Sequence, residues 1–288
     1  MTSRAGYIAI IGAPNAGKST LINRLCGAKV AIVTPKPQTT RRKIMGIVTK
    51  GESQLIFVDT PGVFQAKETF DKSMVAAAES ASSDADILML VVDSEKPKSD
   101  AAERALQVAK NATCEKILVL NKTDAVAKEN LLALVADYTA KDNFARCFMI
   151  SALNGEGVID ISNYLQNAVP EGVHLYPNDH YTDLSERELA AEITREKLFM
   201  ALRQELPYGL HVETESWEEK KHGVRIQQVI FVEQEKHKKI IIGAKGALLK
   251  KIGEQARKDI TRALGRPAHL FLFVKVNEKW KQQIMFPM

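Results

Sequence analysis

The chain has 288 residues, of which 45% are hydrophobic and 26% charged, with three cysteines and a formal net charge of +5. That length suffices for two domains that each bury a core, and the composition is that of a soluble globular protein rather than a disordered or fibrous one. No apolar run approaches the roughly 20 residues of a membrane-spanning helix, no secretory signal pattern opens the chain, and Cys26, Cys114 and Cys147 follow no metal-ligand spacing, so they read as reduced, buried cysteines of a cytosolic protein.

Residues 7–11 form a short apolar strand, and residues 20–25 open a helix. Between them Gly12-Ala13-Pro14-Asn15-Ala16-Gly17-Lys18-Ser19 fits the phosphate-loop pattern G-x-x-x-x-G-K-[ST], in the strand-to-helix setting that the pattern requires. Glycines let backbone N–H groups close around phosphate oxygens, and the helix N-terminus adds a favourable dipole. Lys18 is expected on the terminal phosphates and Ser19 on Mg²⁺, with Gly12 to Thr20 as the binding run. The bland alternative is a glycine-rich turn that binds nothing, and the motifs downstream argue against it. Next comes Pro37-Gln38-Thr39-Thr40-Arg41-Arg42. A threonine in such a segment can place its hydroxyl on Mg²⁺ only when the γ-phosphate is present, which makes an order–disorder switch. Thr40 is the candidate ligand, with Thr39 its alternative.

A second apolar strand, residues 55–58, ends in Asp59-Thr60-Pro61-Gly62. Asp59 can hold the Mg²⁺ shell, and the N–H of Gly62 can sense the γ-phosphate. Alone, the same letters are an ordinary Pro-Gly turn. Further apolar strands at 87–92, 117–120 and 147–150, separated by helical stretches, indicate an α/β fold with a mostly parallel sheet covered on both faces. Ligands bind such sheets beyond the carboxyl ends of the strands, where each of these motifs falls. The strand at 117–120 leads to Asn121-Lys122-Thr123-Asp124. Asp124 can accept from the ring N–H and the exocyclic amine of guanine, and adenine would leave that carboxylate buried and unpaired. Asn121 would brace the loops, the Lys122 stem would lie along the base, and Ser151-Ala152 would offer backbone N–H groups to the guanine oxygen.

Residues 1–172 therefore read as a nucleotide domain, 173–184 as a linker and 185–288 as a second domain. Ser185 with Glu188 makes a capping box at the start of a helix, two strand-like stretches follow at 211–217 and 224–232, and a last strand runs over 269–276. The charge is uneven: residues 1–180 carry 20 Lys+Arg and 20 Asp+Glu, whereas residues 236–266 hold ten basic and two acidic residues. A charge run is usually a solvated face. Here it surrounds Gly243-Ala244-Lys245-Gly246, which fits the GXXG loop of a KH module, a clamp on about four nucleotides of single-stranded RNA. Lys239, Gly243, Ala244, Lys245, Gly246, Lys250 and Lys251 are the candidate RNA residues, and the helix-first order is that of a type II KH domain.

The four nucleotide motifs place the first half among the translation-factor-like GTPases. The texts GAPNAGKST, PQTTRR and DTPGV, followed by the KH module, resemble the Era family across essentially the whole chain. The resemblance implies a bacterial GTP-timed switch that binds the 3′ end of small-subunit ribosomal RNA, assists maturation of the small ribosomal subunit, and has some peripheral membrane contact. It assigns Lys18, Thr40, Gly62 and Asn15 to catalysis. Val63 stands where Ras-like enzymes carry a water-orienting glutamine, and a valine cannot hydrogen-bond a water, so intrinsic hydrolysis should be slow or use another element. Asn15 matches relatives that use a potassium ion near the phosphates; a loop-bracing amide is the alternative. Rival readings are a related assembly GTPase acting on other RNA, an RNA-binding protein with a structural nucleotide site, and a small-molecule kinase that the guanine motif disfavours.

Overall fold

The computed structural model describes residues 2–34, 44–59, 85–203, 206–278 and 280. In the first of two compact units, Met1–Asp183, strand β1 (Arg4–Gly12) passes through the phosphate loop into helix α1 (Lys18–Cys26). Strands β2 (Ile44–Lys50), β3 (Ser53–Asp59) and β4 (Ile87–Asp93) come next. Helix α2 (Asp100–Asn111), strand β5 (Glu115–Asn121), helix α3 (Lys128–Lys141), strand β6 (Arg146–Ile150) and helix α4 (Val158–Ala168) complete the unit. Every residue of β3 and β4 is buried, which only a sheet covered on both faces achieves. The strand order is β2-β3-β1-β4-β5-β6, parallel throughout except for β2 against β3.

Period-two alternation divides the core. Ile8 and Ile10 pack with Leu21 and Ile22 of α1 and Ile161 and Leu165 of α4, whereas Ala9 and Ile11 pack with Leu106 of α2 and Tyr138 of α3. Burial of each large aliphatic side chain contributes about 1.5–3 kcal/mol. These two layers hold the strand ends still, and the motif residues sit on those ends.

The apolar pattern does not pick out β2, because a glycine interrupts it. Gly46 is there for packing: a Cβ would come within 2.8 Å of Cys26 Sγ and Ile22 Cγ2, so α1 lies directly on this edge strand. The linker residues also differ from a free tether. The buried Gln54 side chain accepts from the N–H groups of Leu175 and Tyr176 and donates to Tyr176 O. Farther along, Ile47 N–H donates to Tyr181 O and Met45 N–H to Asp183 Oδ1. Of the cysteines, only Cys26 is fully buried, its thiol pushed up to about 12 by burial. Cys114 and Cys147 are half-buried, which corrects the expectation for all three.

The second unit, Leu184–Met288, begins with α5 (Glu186–Ala201), where the Ser185–Glu188 capping box is formed. Strands β7 (Leu210–Lys220) and β8 (Gly223–Val232) pair antiparallel, and β9 (Ala268–Val276) lies parallel to β8, in the order β7-β8-β9. Between β8 and β9 run α6 (Glu235–Ile242) and α7 (Ala247–Leu264). Helix α6 is absent from the sequence reading, since Ile240-Ile241-Ile242 is a β-branched run with weak helix propensity. Packing overrides it: Ile241 is fully buried against Ile230, Val232 and Ile252. Among the described residues no helix is long and apolar enough to cross a membrane.

Candidate functional site

At the carboxyl ends of β1, β4, β5 and β6 lies a cleft of about 790 Å³. Its inner end is the phosphate loop. Gly17 has φ 96°, and a Cβ there would sit 2.2 Å from Asn121 Nδ2, so the position excludes any side chain. The space serves a bond. Asn121 Nδ2 donates to Ala16 O at 2.8 Å, and Asn121 Oδ1 accepts from Ala152 N–H at 2.9 Å. One buried amide thus ties together the phosphate loop, the end of β5 and the loop after β6.

Lys18 is buried, and its ammonium donates to Gly12 O at 3.1 Å and Ala13 O at 3.0 Å. Burial lowers its pKa to about 8, with the Asp59 carboxylate pulling the other way. An anionic ligand beside it would push the value back up. Ser19 Oγ donates to Asp59 Oδ2 at 2.9 Å, so the hydroxyl and carboxylate expected around Mg²⁺ are adjacent. Both are hard oxygen donors of the kind Mg²⁺ takes, so the residues fit that ion. Asn15 stands exposed on the loop with φ 63°. Thr39, Thr40, Thr60, Pro61, Gly62 and Val63 lie outside the described residues.

At the outer end, Lys122 has a left-handed backbone, φ 66°, and its ammonium is 2.5 Å from Asp93 Oδ2 and 3.7 Å from Glu95 Oε2. Asp93 Oδ1 in turn accepts from Glu95 N–H at 3.0 Å. The lysine head is therefore fixed and its stem lies along the cleft wall. Asp93 was not among the sequence candidates; its position at the carboxyl end of β4, like Asp59 on β3, is the signal that could have found it. Asp93→Asn should weaken GTP and GDP alike by about tenfold, the loss expected for one charge-assisted bond. Equal affinities by titration calorimetry would discard the anchoring role.

Asp124, in the short turn Thr123–Ala125, is exposed rather than buried. Its burial would have to come with the base. Ser151 and Ala152 also depart from expectation. Ser151 N–H donates to Glu156 O at 3.1 Å and Ala152 N–H to Asn121 Oδ1, so neither hydrogen stands free for a purine oxygen. Both residues line the cleft, and so does Leu153 beside them. Arg24 of α1 holds this loop from behind, donating to Ala152 O at 3.3 Å and to Leu153 O.

In the second unit the GXXG residues form a tight turn between α6 and α7. Gly243 has φ 71°, and a Cβ there would press on Leu248 Cβ at 2.8 Å. Lys245 also has positive φ, 49°, and is exposed at the turn. A groove of about 450 Å³ runs between α7 and the edge strand β9. Gly246 and Lys250 line it, joined by Arg257, Phe271 and Phe273, which sequence reasoning missed. Arg257 lies seven residues from Lys250, a helical spacing that could have marked it. Lys239, Ala244 and Lys251 are exposed but do not line the groove.

A phosphate loop, an acidic strand end and an Asn-Lys-x-Asp turn at one cleft, with a GXXG turn in the following unit, define a P-loop GTPase that carries a C-terminal KH domain. Residues 7–122 match the family described as "50S ribosome-binding GTPase", and residues 205–281 match the KH domain family. The chain is 53% identical to "GTPase Era" of Rhizobium meliloti (strain 1021) over 279 residues, spanning 96% of this chain and 89% of the relative. It is 50% identical to "GTPase Era" of Agrobacterium fabrum over 281 residues, spanning 97% and 89%. The chain belongs to the GTPase Era family. Its fold is similar to the crystal structure of Era in complex with MgGDPNP and nucleotides 1506–1542 of 16S ribosomal RNA, with TM-score 0.91, 37% identity, and 98% and 96% of the two chains covered. It is equally similar to an Aquifex aeolicus Era variant bound to GDP·AlF4⁻, with TM-score 0.91, 37% identity, and 97% and 96% covered.

Proposed function

We propose that this chain is a GTP-hydrolysing switch that binds the 3′ end of small-subunit ribosomal RNA and assists maturation of the small ribosomal subunit in the cytoplasm. The nucleotide domain is 1–172, joined through 173–184 to the RNA domain 185–288. One observation carries the reading: a single chain holds both the Asn121-tied cleft, with buried Lys18 at its phosphate end, and a basic GXXG turn beside a groove. The similarity to an Era that holds 16S ribosomal RNA supports the choice of RNA.

Lys18 and the phosphate-loop N–H groups bind and orient the triphosphate. Ser19, Asp59 and Thr40 hold Mg²⁺, which supplies charge neutralisation at the phosphates. Asp124 reads guanine, Asn121 fixes its loop, and Lys122 lies against the base. The γ-phosphate is sensed through Thr40 and Gly62, and its loss on hydrolysis relaxes the grip on RNA. Coupling is reciprocal: a factor by which GTP tightens RNA binding is the factor by which RNA tightens GTP binding. Measuring both affinities with a 16S 3′-end oligonucleotide tests this. RNA that binds with no change between the GTP-analogue and GDP states would end the switch reading.

Two finer points have their own tests. Asn15, exposed on the phosphate loop, would help hold K⁺ against the phosphates, so GTP turnover should be faster in KCl than in NaCl at equal ionic strength. Equal rates leave Asn15 as a loop residue. Lys245 is the phosphate-contacting cation of the clamp. Lys245→Glu should weaken RNA binding about tenfold and lower the salt-dependence slope by about one, with RNA-free GTP turnover unchanged. Undiminished RNA affinity would remove Lys245 from the interface.

A further inference from the structure

On β9 the even-numbered residues Leu270, Leu272 and Val274 pack toward the helices. The odd-numbered ones point to the opposite face of the sheet, where Phe271 and Phe273 are 45% and 48% exposed. Two large rings left this open on an edge strand are unusual for a face with no ligand. They stand two residues apart, about 6.6 Å along the strand. The same two residues line the groove between α7 and β9, so the groove borders the outer face along this edge strand. The Arg225 guanidinium lies over the Phe271 ring at 5.0 Å and holds it in place.

We propose that the outer face of this sheet at Phe271 and Phe273 is a base-stacking platform, and that single-stranded RNA leaving the groove crosses the edge of β9 onto it. This rests on the reading of the groove as an RNA clamp. A GXXG clamp holds about four nucleotides, and the strand must go somewhere beyond them. Aromatic side chains on an open sheet accept bases of any sequence, because every base has a π-face. Charge adds little on this face: Arg225 is paired with Glu218 at 3.0 Å and Lys275 with Glu215 at 2.6 Å. The platform therefore contributes through stacking, and its share of affinity resists salt, unlike that of the groove with Lys250 and Arg257.

The test uses the full chain with synthetic oligoribonucleotides from the 16S 3′ end, a four-nucleotide core and the same core extended by four nucleotides on its 5′ or 3′ side. One extension should bind about tenfold or more tighter than the core, with a gain that barely changes between low and high salt. Phe271→Leu with Phe273→Leu keeps the face apolar and removes the rings; it should erase the gain of the extended oligonucleotide over the core measured on the same variant, and a wild-type-like circular dichroism spectrum and melting curve show that the variant is folded. Phe273→Tyr should retain the gain. Without any variant, 2-aminopurine in the favoured extension should be quenched on binding. A gain that survives the leucine pair, bright 2-aminopurine in the complex, or extensions that bind no tighter than the core would each overturn the platform. Wild-type protein that binds neither core nor extension would instead overturn the clamp reading beneath it.

Discussion

Lys18→Ala should lower GTP affinity by about three orders of magnitude, while the nucleotide-free protein melts within a few degrees of wild type. The two effects come from the same burial. Folding holds the ammonium out of water beside two backbone carbonyls and the Asp59 carboxylate, and that burial is why its pKa falls to about 8 even though the carboxylate pulls it up. Removing it relieves a desolvated charge and loses two hydrogen bonds to Gly12 O and Ala13 O, contributions of opposite sign that largely offset. In the complex nothing offsets the loss. Triphosphate oxygens would face a dry cleft without their cation, and breaking a buried charge pair from one side costs about 3–5 kcal/mol. Titration with a non-hydrolysable GTP analogue and thermal melting of the nucleotide-free protein check both halves. Near-wild-type affinity would remove Lys18 from the phosphate site, and a collapse in melting temperature would make it a structural residue.

The motifs that read clearly in the sequence are those whose chemistry is local. The phosphate loop, the acidic end of β3 and the Asn-Lys-x-Asp turn each need neighbouring residues in a fixed backbone, so a short text carries them. The strands β3, β4 and β5 were readable for the same reason: burial on both faces forces continuous apolar runs. What was missed depends on partners distant in the chain. Asn121 holds Ala16 and Ala152 from 105 and 31 residues away, and no spacing rule announces that Ala152 N–H is thereby used up. Gly46 breaks the pattern of β2 because α1 needs the room, and Ile240 to Ile242 become helical because the burial of Ile241 outweighs propensity. Gln54 is a fully buried polar side chain within an apolar strand, matched by the backbone of residues 175 and 176 and by the Thr49 hydroxyl. The Phe271 and Phe273 rings looked like ordinary strand residues, since alternation tells which residues share a face but not which face is covered.

Asp124→Asn should exchange the base that the cleft prefers. A carboxylate presents two acceptors, which suit the ring N–H and exocyclic amine of guanine. Asparagine presents one acceptor and one donor. Its amide N–H₂ then meets the guanine amine donor to donor, and one charge-assisted bond, worth about 1.5–3 kcal/mol, is replaced by a clash. GTP affinity should fall by roughly two to three orders of magnitude. Xanthine carries a carbonyl where guanine carries that amine, so the asparagine pair of one acceptor and one donor fits it, and xanthosine triphosphate should bind the variant better than the wild type. The surrounding frame stays in place, because Asp124 is exposed while Asn121 and Asp93 hold the loops. Competition binding of GTP, ATP and xanthosine triphosphate to both proteins decides the matter. If the variant loses all three equally, residue 124 shapes the turn and the base is read elsewhere; if it loses GTP and gains xanthosine triphosphate, a single carboxylate in an open turn sets the specificity.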